Sequence, residues 1–350
     1  MYILGFDIGG VNIKASLINN EQVINNYIKY YPMWTNNLNQ LSAVLENIKS
    51  VVLRDHKLEA IAITMTAELS DAFYTKREGI LIITDALKEI FSDRLDDLYF
   101  INTYGNFIKI EEVIKDPLQI AAANWAATSK YVSRLYENCI LIDIGSTTTD
   151  IIPIINSQPK CLGKTDPDRL LAGELIYTGV LRTEIPSITH KVPYKDKLCR
   201  IASEKFALSA DVHLVLGNIS EDDYICDTAD GREKNKKDSL ARLSRVICAD
   251  IEMLSEDEIL EIANYIYKKQ IEQVQSGLEQ VFENMNIKDK KSIPIVITGL
   301  GSEILARKAA ENLGFTYIIN LDEFLGEKAG VVAPSAAIAI LLENELKGGY

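Results

Sequence analysis

Residues 141–151 read LIDIGSTTTDI, and residues 3–18 read ILGFDIGGVNIKASLI. In each stretch an apolar run ends in Asp-Ile-Gly, a short turn of small or polar residues follows, and a second apolar run begins. The two copies lie about 136 residues apart, which is domain spacing and too long for a solenoid repeat. The sequence therefore predicts two lobes of like topology, whose turns face each other across a central cleft.

The residue types in the two turns favour phosphate binding. Glycine lets the backbone adopt positive φ and lets a ligand approach the amides, and successive N–H groups form an anion-binding nest. Lys14 lies in the second strand, where alternation directs its side chain either into the cleft or out to water. The predicted phosphate-binding residues are Gly9, Gly10, Lys14, Gly145, Ser146, Thr147 and Thr148.

An aspartate precedes each turn, Asp7 in the first copy and Asp143 in the second. A carboxylate repels phosphate, but it binds Mg²⁺ or water on Mg²⁺, which then neutralises phosphate oxygens. One such turn alone is typical of an ordinary hairpin. Two copies, with a later glycine turn at Gly299–Gly301, favour a diphosphate clamp with Mg²⁺ as cofactor and Asp7 and Asp143 as its ligands. The chain has no P-loop pattern, and the later turn lacks the third glycine of a dinucleotide fingerprint.

Composition excludes several classes of partner. The 350 residues are 47% hydrophobic and 25% charged, with a formal net charge of −13. That charge argues against a nucleic-acid or anionic-membrane surface, either of which needs a basic face. The five cysteines have no C-x-x-C spacing, so they indicate neither a zinc site nor a redox pair. We expect a cytoplasmic protein, with no apolar run of the roughly 18–20 residues that a membrane span requires.

Apolar periodicity and helix caps outline the remaining elements. We predict strands at 2–8, 13–18, 58–65 and 315–320, strand–turn–strand units at 139–155, and a strand with a glycine turn at 293–302. We predict helices over 38–52, from Asp116-Pro117 through 122–135, from the Ser255–Glu258 capping box to about 282, and from Pro334 onward. Lobe I is predicted as 1–130 plus 334–350, and lobe II as 138–333 with an elaborated insert at about 157–240.

This pattern resembles the actin/Hsp70/sugar-kinase superfold, an α/β, two-lobed, duplicated ribonuclease H-like fold with a central cleft. The paired turns look like its phosphate-binding motifs, and VITGLGS (296–302) looks like a short form of its nucleotide-binding glycine turn. The last helix looks like its lobe-connecting helix. The resemblance implies a fold, and it leaves the reaction open.

Five further segments resemble the hydantoinase/oxoprolinase-related family of C1-carrier pathways. They are MTAELSDAFYTKREGI (65–80), AAANWAA (121–127), GELIYTGVLRTEIPSI (173–188), SADVHLVLG (209–217) and LARLSRVICAD (240–250). Ala67 departs from the family pattern, which has glycine there. The resemblance implies a transferase of methanofuran biosynthesis that joins γ-glutamyltyramine to an aminomethylfuran-methyl diphosphate, forms an aryl ether and releases pyrophosphate.

That chemistry asks for a base, because a phenol has an ordinary pKa near 10. The candidates are Asp150, Glu68, Asp71 and Glu174; the alternative for each is a solvent-facing acid or a helix cap. Arg77 and Arg182 are candidates for binding a substrate carboxylate or phosphate, with a surface or lobe-bridging ion pair as the alternative. Asp211 is either a turn residue or a ligand contact. We expect His190 and His213 to be structural, and Tyr30, Tyr31 and Trp34 to pack rather than to stack on a substrate.

Three functions remain open at this stage. The first is the pyrophosphate-releasing transferase, with small-molecule diphosphate and phenolic substrates and Mg²⁺. The second is an ATP-dependent small-molecule kinase of the same superfold, which the short turn at Gly299–Gly301 disfavours. The third is a non-catalytic actin-like scaffold. A homo-oligomer is compatible with each of them.

Overall fold

A computed structural model describes residues 1–35, 38–287, 289–326 and 329–348. The chain divides into two compact units. Unit 1 comprises Met1–Cys139, Ile152–Asp168 and Leu321–Tyr350, and unit 2 comprises Ile140–Ile151 and Arg169–Asn320.

Half of the strands in the described residues fall on the predicted apolar runs, and the others, such as Gln22–Tyr30, were not predicted. In chain order they are β1 (Tyr2–Ile8), β2 (Asn12–Asn19), β3 (Gln22–Tyr30), β4 (Ala60–Met65), β5 (Leu98–Ile101), β6 (Phe107–Ile108), β7 (Cys139–Ile144), β8 (Thr149–Ile155), β9 (Gln158–Pro159), β10 (Leu175–Ile176), β11 (Lys191–Tyr194), β12 (Lys197–Arg200), β13 (Ile295–Thr298) and β14 (Ile318–Asn320).

The α-helices of the same residues include the four that the periodicity predicts. In chain order they are α1 (Leu41–Leu53), α2 (Lys76–Ile90), α3 (Ile110–Lys115), α4 (Asn124–Leu135), α5 (Asp166–Ala172), α6 (Ile185–Ile188), α7 (Ser209–Val215), α8 (Lys236–Ser244), α9 (Glu256–Asn284), α10 (Arg307–Asn312), α11 (Asp322–Leu325) and α12 (Ala333–Leu346).

Unit 1 is built on a sheet with the strand order β3-β2-β1-β4-β5-β6. β1 pairs antiparallel with β2 and parallel with β4, and every residue of β4 is buried. A continuous apolar strand of this kind is what a sheet covered on both faces requires. α12 packs on β1, where a Cβ at Gly5 would lie 2.0 Å from Ser335 O, so only glycine allows this approach.

A second sheet has the strand order β10-β8-β7-β13-β14, with β9 beside β8. Its strands β10, β13 and β14 lie in unit 2. β7, β13 and β14 run parallel to one another. The order β8-β7-β13-β14 repeats β2-β1-β4-β5 of unit 1, with a hairpin followed by parallel strands. This repeated topology confirms the predicted α/β duplicated fold. The predicted Ser255 capping box is also confirmed, since its hydroxyl accepts the Glu258 N–H at the start of α9.

One helix begins later than predicted. Pro117–Ile120 forms a short 3-10 helix, and α4 begins only at Asn124. Ala122 between them has φ 50°, and its N–H donates to the Glu68 carboxylate at 2.8 Å. A distant carboxylate thus holds a left-handed residue that interrupts the helical run, which local periodicity does not reveal.

The bounds of the two units differ from the predicted lobes mainly in two segments. Residues 152–168 and 321–333 belong to unit 1, although the prediction assigned them to lobe II. Asp166 forms an ion pair at 2.6 Å with Lys76 of α2, and Tyr136 packs edge-on against Phe324. These contacts hold residues 152–168 and 321–333 against other parts of unit 1, and so account for the difference from the predicted lobe bounds. The strand predicted at 315–320 is also shorter, since β14 begins at Ile318.

The segment Ala329–Leu346 is long and apolar enough to cross a membrane by composition, which corrects the prediction that no such run exists. Its mean hydropathy is 1.4, and 78% of it is buried within the structure. α12, which forms most of this segment, packs on β1, β4 and α4. The apolar composition therefore matches that of a core helix.

Candidate active site

The two turns of the repeat close with the same hydrogen bond. Gly9 N–H donates to Asn12 O at 3.0 Å in the first turn, and Gly145 N–H donates to Thr148 O at 3.0 Å in the second. The N–H groups at the centre of the first turn belong to Gly10 and Val11, and those of the second turn belong to Ser146 and Thr147. Within the described residues, none of these four N–H groups donates to an acceptor. Two adjacent unfilled N–H groups are what an anion-binding nest requires.

A threonine accompanies each strand-end aspartate. Asp7 lies in parallel register with Thr64 of β4, and Asp143 lies in parallel register with Thr298 of β13. Both threonines are buried. The Ile-Thr pair near the end of both AIAITM and IVIT is a signal in the sequence for this part of the repeat, which was not predicted.

The glycine turn at Gly299–Gly301 lies against the end of β7. Gly299 has φ 84°, and a Cβ there would lie 2.6 Å from Asp143 Oδ1. Gly301 N–H donates to Ile144 O at 2.9 Å. The turn therefore supports the segment that carries Asp143, because only glycine has the space and the conformational freedom for this position.

The strand after each turn carries a charged residue with a partner. Lys14 Nζ lies 3.8 Å from Asp7 Oδ2, so its side chain is directed toward the strand-end aspartate. Asp150 Oδ1 accepts from Arg169 Nη2 at 2.7 Å, and both side chains are buried. A buried carboxylate with a guanidinium partner maintains local structure. This geometry favours the structural alternative for Asp150 over its predicted role as base.

The remaining acidic candidates differ sharply in environment. Asp71 is exposed, in the bend after the 3-10 helix Ala67–Leu69. Glu174 is buried beside Arg169, whose Nη2 donates to Glu174 O at 3.0 Å. Ala67 has no positive φ, so alanine is accommodated where the family pattern has glycine.

Of the four candidate acids, Glu68 has the environment best suited to a general base. Its side chain is 1% exposed, its Oε1 accepts the Ala122 N–H, and its Oε2 is buried with no hydrogen-bond partner within the described residues. Burial raises the pKa of Glu68 to about 7, against a smaller lowering by Lys76. A Cβ at Gly10 would be in ordinary contact with Ala67 and Ser70, so this segment packs on the first turn.

Arg182 lies at the second turn. Its Nη1 donates to Thr147 Oγ1 at 3.1 Å, and its main-chain N–H donates to Ser146 O at 2.9 Å. The side chain is half-buried, and a guanidinium is suited to bidentate contact with an anion. Arg77, in contrast, is exposed in the first turn of α2.

The structure also places Asp211, the two histidines that were expected to be structural and two of the aromatic residues. Asp211 forms an ion pair at 2.7 Å with the fully buried Arg242. This pairing favours a structural role for Asp211 over a ligand contact. His213 is fully buried, as expected for a structural histidine, whereas His190 is exposed. Tyr31 is buried, and Trp34 is 39% exposed.

No group of three or more His, Cys, Asp or Glu side chains suited to a metal occurs in the described parts of the chain. Mg²⁺ commonly binds through one or two carboxylates plus substrate phosphates and waters, so a complete protein cage is not required. Asp143 fits this mode, since it lies near the end of its strand, beside Gly299 and in register with Thr298. Asp7 fits it less well, because the Lys14 ammonium already lies beside its carboxylate.

Comparison with known proteins identifies close relatives. Residues 59–345 match the family model described as Hydantoinase/oxoprolinase. A Methanocaldococcus jannaschii protein named (4-{4-[2-(gamma-L-glutamylamino)ethyl]phenoxymethyl}furan-2-yl)methanamine synthase is 39% identical over 345 residues, which is 98% of each chain. A Methanococcus vannielii protein of the same name is 41% identical over 221 residues, covering 62% of this chain and 97% of the relative.

Among solved structures, a nucleotide-free acetone carboxylase matches with a TM-score of 0.58 at 11% identity. The match covers 97% of this chain and 70% of that chain. At this identity the likeness concerns the fold, and it agrees with the duplicated sheet topology.

Proposed function

This chain belongs to the hydantoinase/oxoprolinase family, and from that premise we propose that it is the transferase that forms the aryl ether named for its full-length relative. The observation that carries the proposal is the 39% identity to that synthase over 98% of both chains. The product name specifies a phenol oxygen joined through a methylene to a furan that bears an aminomethyl group. The phenolic substrate is then γ-glutamyltyramine.

The second substrate carries the methylene and a leaving group, for which we propose diphosphate. The phenol oxygen forms the new C–O bond to the methylene carbon, and the bond from that carbon to the diphosphate oxygen breaks with its electron pair. The phenol proton passes to a base, and pyrophosphate departs. Because the leaving group gains negative charge, stabilising that charge is the main catalytic task.

The second turn provides groups suited to this task within unit 2. Ser146 and Thr147 offer main-chain N–H groups without an acceptor in the described residues, and Arg182 lies beside Thr147 with its guanidinium half-buried. A preorganised amide pair with a cation stabilises a developing oxyanion without reorganisation. We assign this turn to the diphosphate of the furan substrate, with Gly9, Gly10 and Lys14 as the corresponding groups of the first turn.

We assign the role of general base to Glu68. A base works best when its pKa lies near the operating pH, and burial raises the pKa of Glu68 to about 7. One carboxylate oxygen is anchored by the Ala122 N–H, and the other has no partner within the described residues. A carboxylate anchored through one oxygen, with its second oxygen buried and without a partner in the described residues, has the basicity to take up a phenol proton.

In unit 2, Mg²⁺ would be held by Asp143. Asp7, the other predicted ligand, lies near the end of the equivalent strand of unit 1. When bound, the ion supplies charge neutralisation to the diphosphate oxygens. Carboxylate donors at strand ends next to hydroxyl groups match the oxygen ligands that this ion prefers.

A direct assay tests the proposal. The purified protein is incubated with γ-glutamyltyramine, the aminomethylfuran-methyl diphosphate and Mg²⁺, and ether and pyrophosphate are measured by mass spectrometry and a phosphate-release assay. We expect both products in equal amounts without added ATP. A reaction that needs ATP and releases ADP would overturn the assignment in favour of the kinase, which the relatives do not favour. Verified substrates that yield no ether would also overturn it.

A further inference from the structure

A series of buried hydrogen bonds ends on the main chain of Gly179. His213 Nε2 lies 3.0 Å from Gln270 Oε1, and Gln270 Nε2 donates to Gly179 O at 2.8 Å and to Thr178 Oγ1 at 3.1 Å. On the other side of the ring, Asn218 Nδ2 lies 3.1 Å from His213 Nδ1. His213 and Gln270 are both fully buried. We call Asn218, His213, Gln270 and Gly179 the buried polar chain.

The hydrogen bonds of the buried polar chain can be assigned donors and acceptors in one consistent way. Gly179 O can only accept, so the NH₂ group of Gln270 must face it and Gln270 Oε1 must face the histidine. His213 Nε2 therefore carries the proton, and Nδ1 accepts from the Asn218 side chain. Burial lowers the pKa of His213 to about 4, so the ring is neutral near neutral pH, as this direction requires. The histidine thereby fixes the orientation of the Gln270 amide.

Gly179 is held unusually firmly. Its carbonyl accepts from Gln270 Nε2, from Ser209 Oγ at 3.0 Å and from Thr183 Oγ1 at 3.0 Å. A Cβ at Gly179 would lie 2.5 Å from Thr147 N, a distance that real Cβ atoms do not reach. The Gly179 peptide therefore lies directly against the second turn.

The residues that follow Gly179 bind the second turn from one side. Val180 N–H donates to Gly145 O at 3.1 Å, and the N–H groups of Leu181 and Arg182 donate to Ser146 O at 3.0 and 2.9 Å. These bonds occupy the carbonyl groups of the turn. They orient the same peptides whose N–H groups remain open to a ligand.

We propose that His213 and Gln270 are positioning residues for the second turn, which through Gly179 set the direction of the N–H groups that bind the diphosphate. The inference rests on the proposed function, since it takes the turn to be the diphosphate site. Both side chains are fully buried, so we assign neither of them a ligand contact. Burying a glutamine on the apolar face of α9 costs free energy unless its polar atoms are hydrogen-bonded. In this structure the Gln270 amide group donates to Gly179 O, which lies against the second turn.

The test measures pyrophosphate binding in the presence of Mg²⁺ by titration calorimetry, on the full chain and on three variants. Gln270→Met keeps the approximate length and volume of the side chain and removes the donor to Gly179 O. His213→Phe removes the group that orients Gln270, and Ser209→Ala is a milder change that removes one donor to Gly179 O. We expect dissociation constants about 10-fold higher for the first two variants and about 3-fold higher for Ser209→Ala. If either of the first two variants does not fold, Ser209→Ala still tests the proposal.

Steady-state kinetics separates positioning from general stability. We expect KM to rise for the diphosphate substrate and to stay unchanged for the phenolic substrate in folded variants. Tyr224→Phe is the matched control, because it removes a buried hydrogen bond to Asp211 that is not part of the buried polar chain. It should lower the melting temperature without weakening pyrophosphate binding.

The outcomes distinguish the two levels of the inference. Folded variants that bind pyrophosphate as tightly as the native protein would overturn the role of His213 and Gln270 while leaving the diphosphate site intact. If the native protein makes ether but Arg182→Gln binds pyrophosphate as tightly as the native protein, the second turn is not the diphosphate site. The positioning role is then overturned with it. A native protein that makes no ether would overturn the proposed function itself.

Discussion

Lys14 and Asp150 occupy equivalent positions in the two copies of the repeat and carry opposite charges. Lys14 Nζ lies 3.8 Å from the Asp7 carboxylate, whereas the Asp150 carboxylate is bound by Arg169 at 2.7 Å. The backbone of the two turns is the same, with one closing hydrogen bond of 3.0 Å in each. The duplicated scaffold therefore presents two different electrostatic environments.

Breaking the buried pair of Asp150 and Arg169 should destabilise the protein. Asp150→Ala leaves a buried guanidinium without its carboxylate, and we expect a loss of about 3–5 kcal/mol in the free energy of unfolding. Denaturant unfolding followed by circular dichroism measures this. The double variant Asp150→Leu/Arg169→Met should recover most of the stability and keep ether-forming activity. A stable but inactive double variant would restore Asp150 as a catalytic candidate.

Replacing Glu68 should remove the base while preserving the fold. In Glu68→Gln the side-chain carbonyl still accepts the Ala122 N–H, but the group can no longer take up a phenol proton. We expect kcat to fall by about 10²–10⁴-fold, the usual contribution of general base catalysis. The native kcat/KM should be lost as pH falls below about 7, since Glu68 must be ionised to act.

Asp85→Asn on α2 is the matched control for Glu68, because its carboxylate is largely exposed and pairs only with Lys88 among the contacts of the described residues. It should leave both kcat and its pH profile unchanged. Native-like turnover by Glu68→Gln would exclude Glu68 as the base.

Glu68 should also make stability depend on pH. Its folded pKa, about 7, is raised above the ordinary value of 4.5, so the folded state binds the proton more tightly than the unfolded state. The resulting stabilisation is fully present below pH 4.5 and is lost as pH rises through 7, with a total of about 3 kcal/mol. Unfolding of the native protein and of Glu68→Gln at pH 5 and pH 8 tests this. The decline between the two pH values should be smaller in the variant by roughly that amount; equal declines would contradict the raised pKa.

Arg182 should matter for the diphosphate substrate, and Arg77 should not. Arg182 contacts Thr147 of the second turn, whereas Arg77 is exposed on α2. We expect Arg182→Gln to raise KM for the diphosphate substrate by about 10–100-fold, the loss of one charge-assisted contact. Arg77→Gln in the same assay should change KM less than 3-fold. A comparable effect of Arg77→Gln would instead support its predicted role in substrate binding.

Activity should require Mg²⁺ and depend on Asp143. Treatment with EDTA should abolish ether formation, and added Mg²⁺ should restore it, because the ion neutralises the leaving diphosphate. Asp143→Asn should raise the Mg²⁺ concentration needed for half-maximal rate by at least about 10-fold, with a melting temperature near that of the native protein. Full activity of the native protein in EDTA would remove Mg²⁺ from the proposal.

The sequence by itself determined the repeat, its strands and the chemistry of its turns, because these features follow from local alternation, glycine conformation and capping. The Asp-Ile-Gly copies, the apolar run of β4 and the Ser255 cap each depend on residues a few positions apart, and the structure retains all of them. The family segments likewise pointed to the relatives that the whole chain matches.

Only the tertiary structure decided which of the candidate acids are bound to structural partners. The pairing of Asp150 with Arg169, the left-handed Ala122 held by Glu68, and the Gln270 contact with Gly179 join residues far apart in the chain. Burial decides the chemistry of such groups, because desolvation and hydrogen-bond partners set their charge and basicity. Neither is visible in the spacing of residues along the sequence.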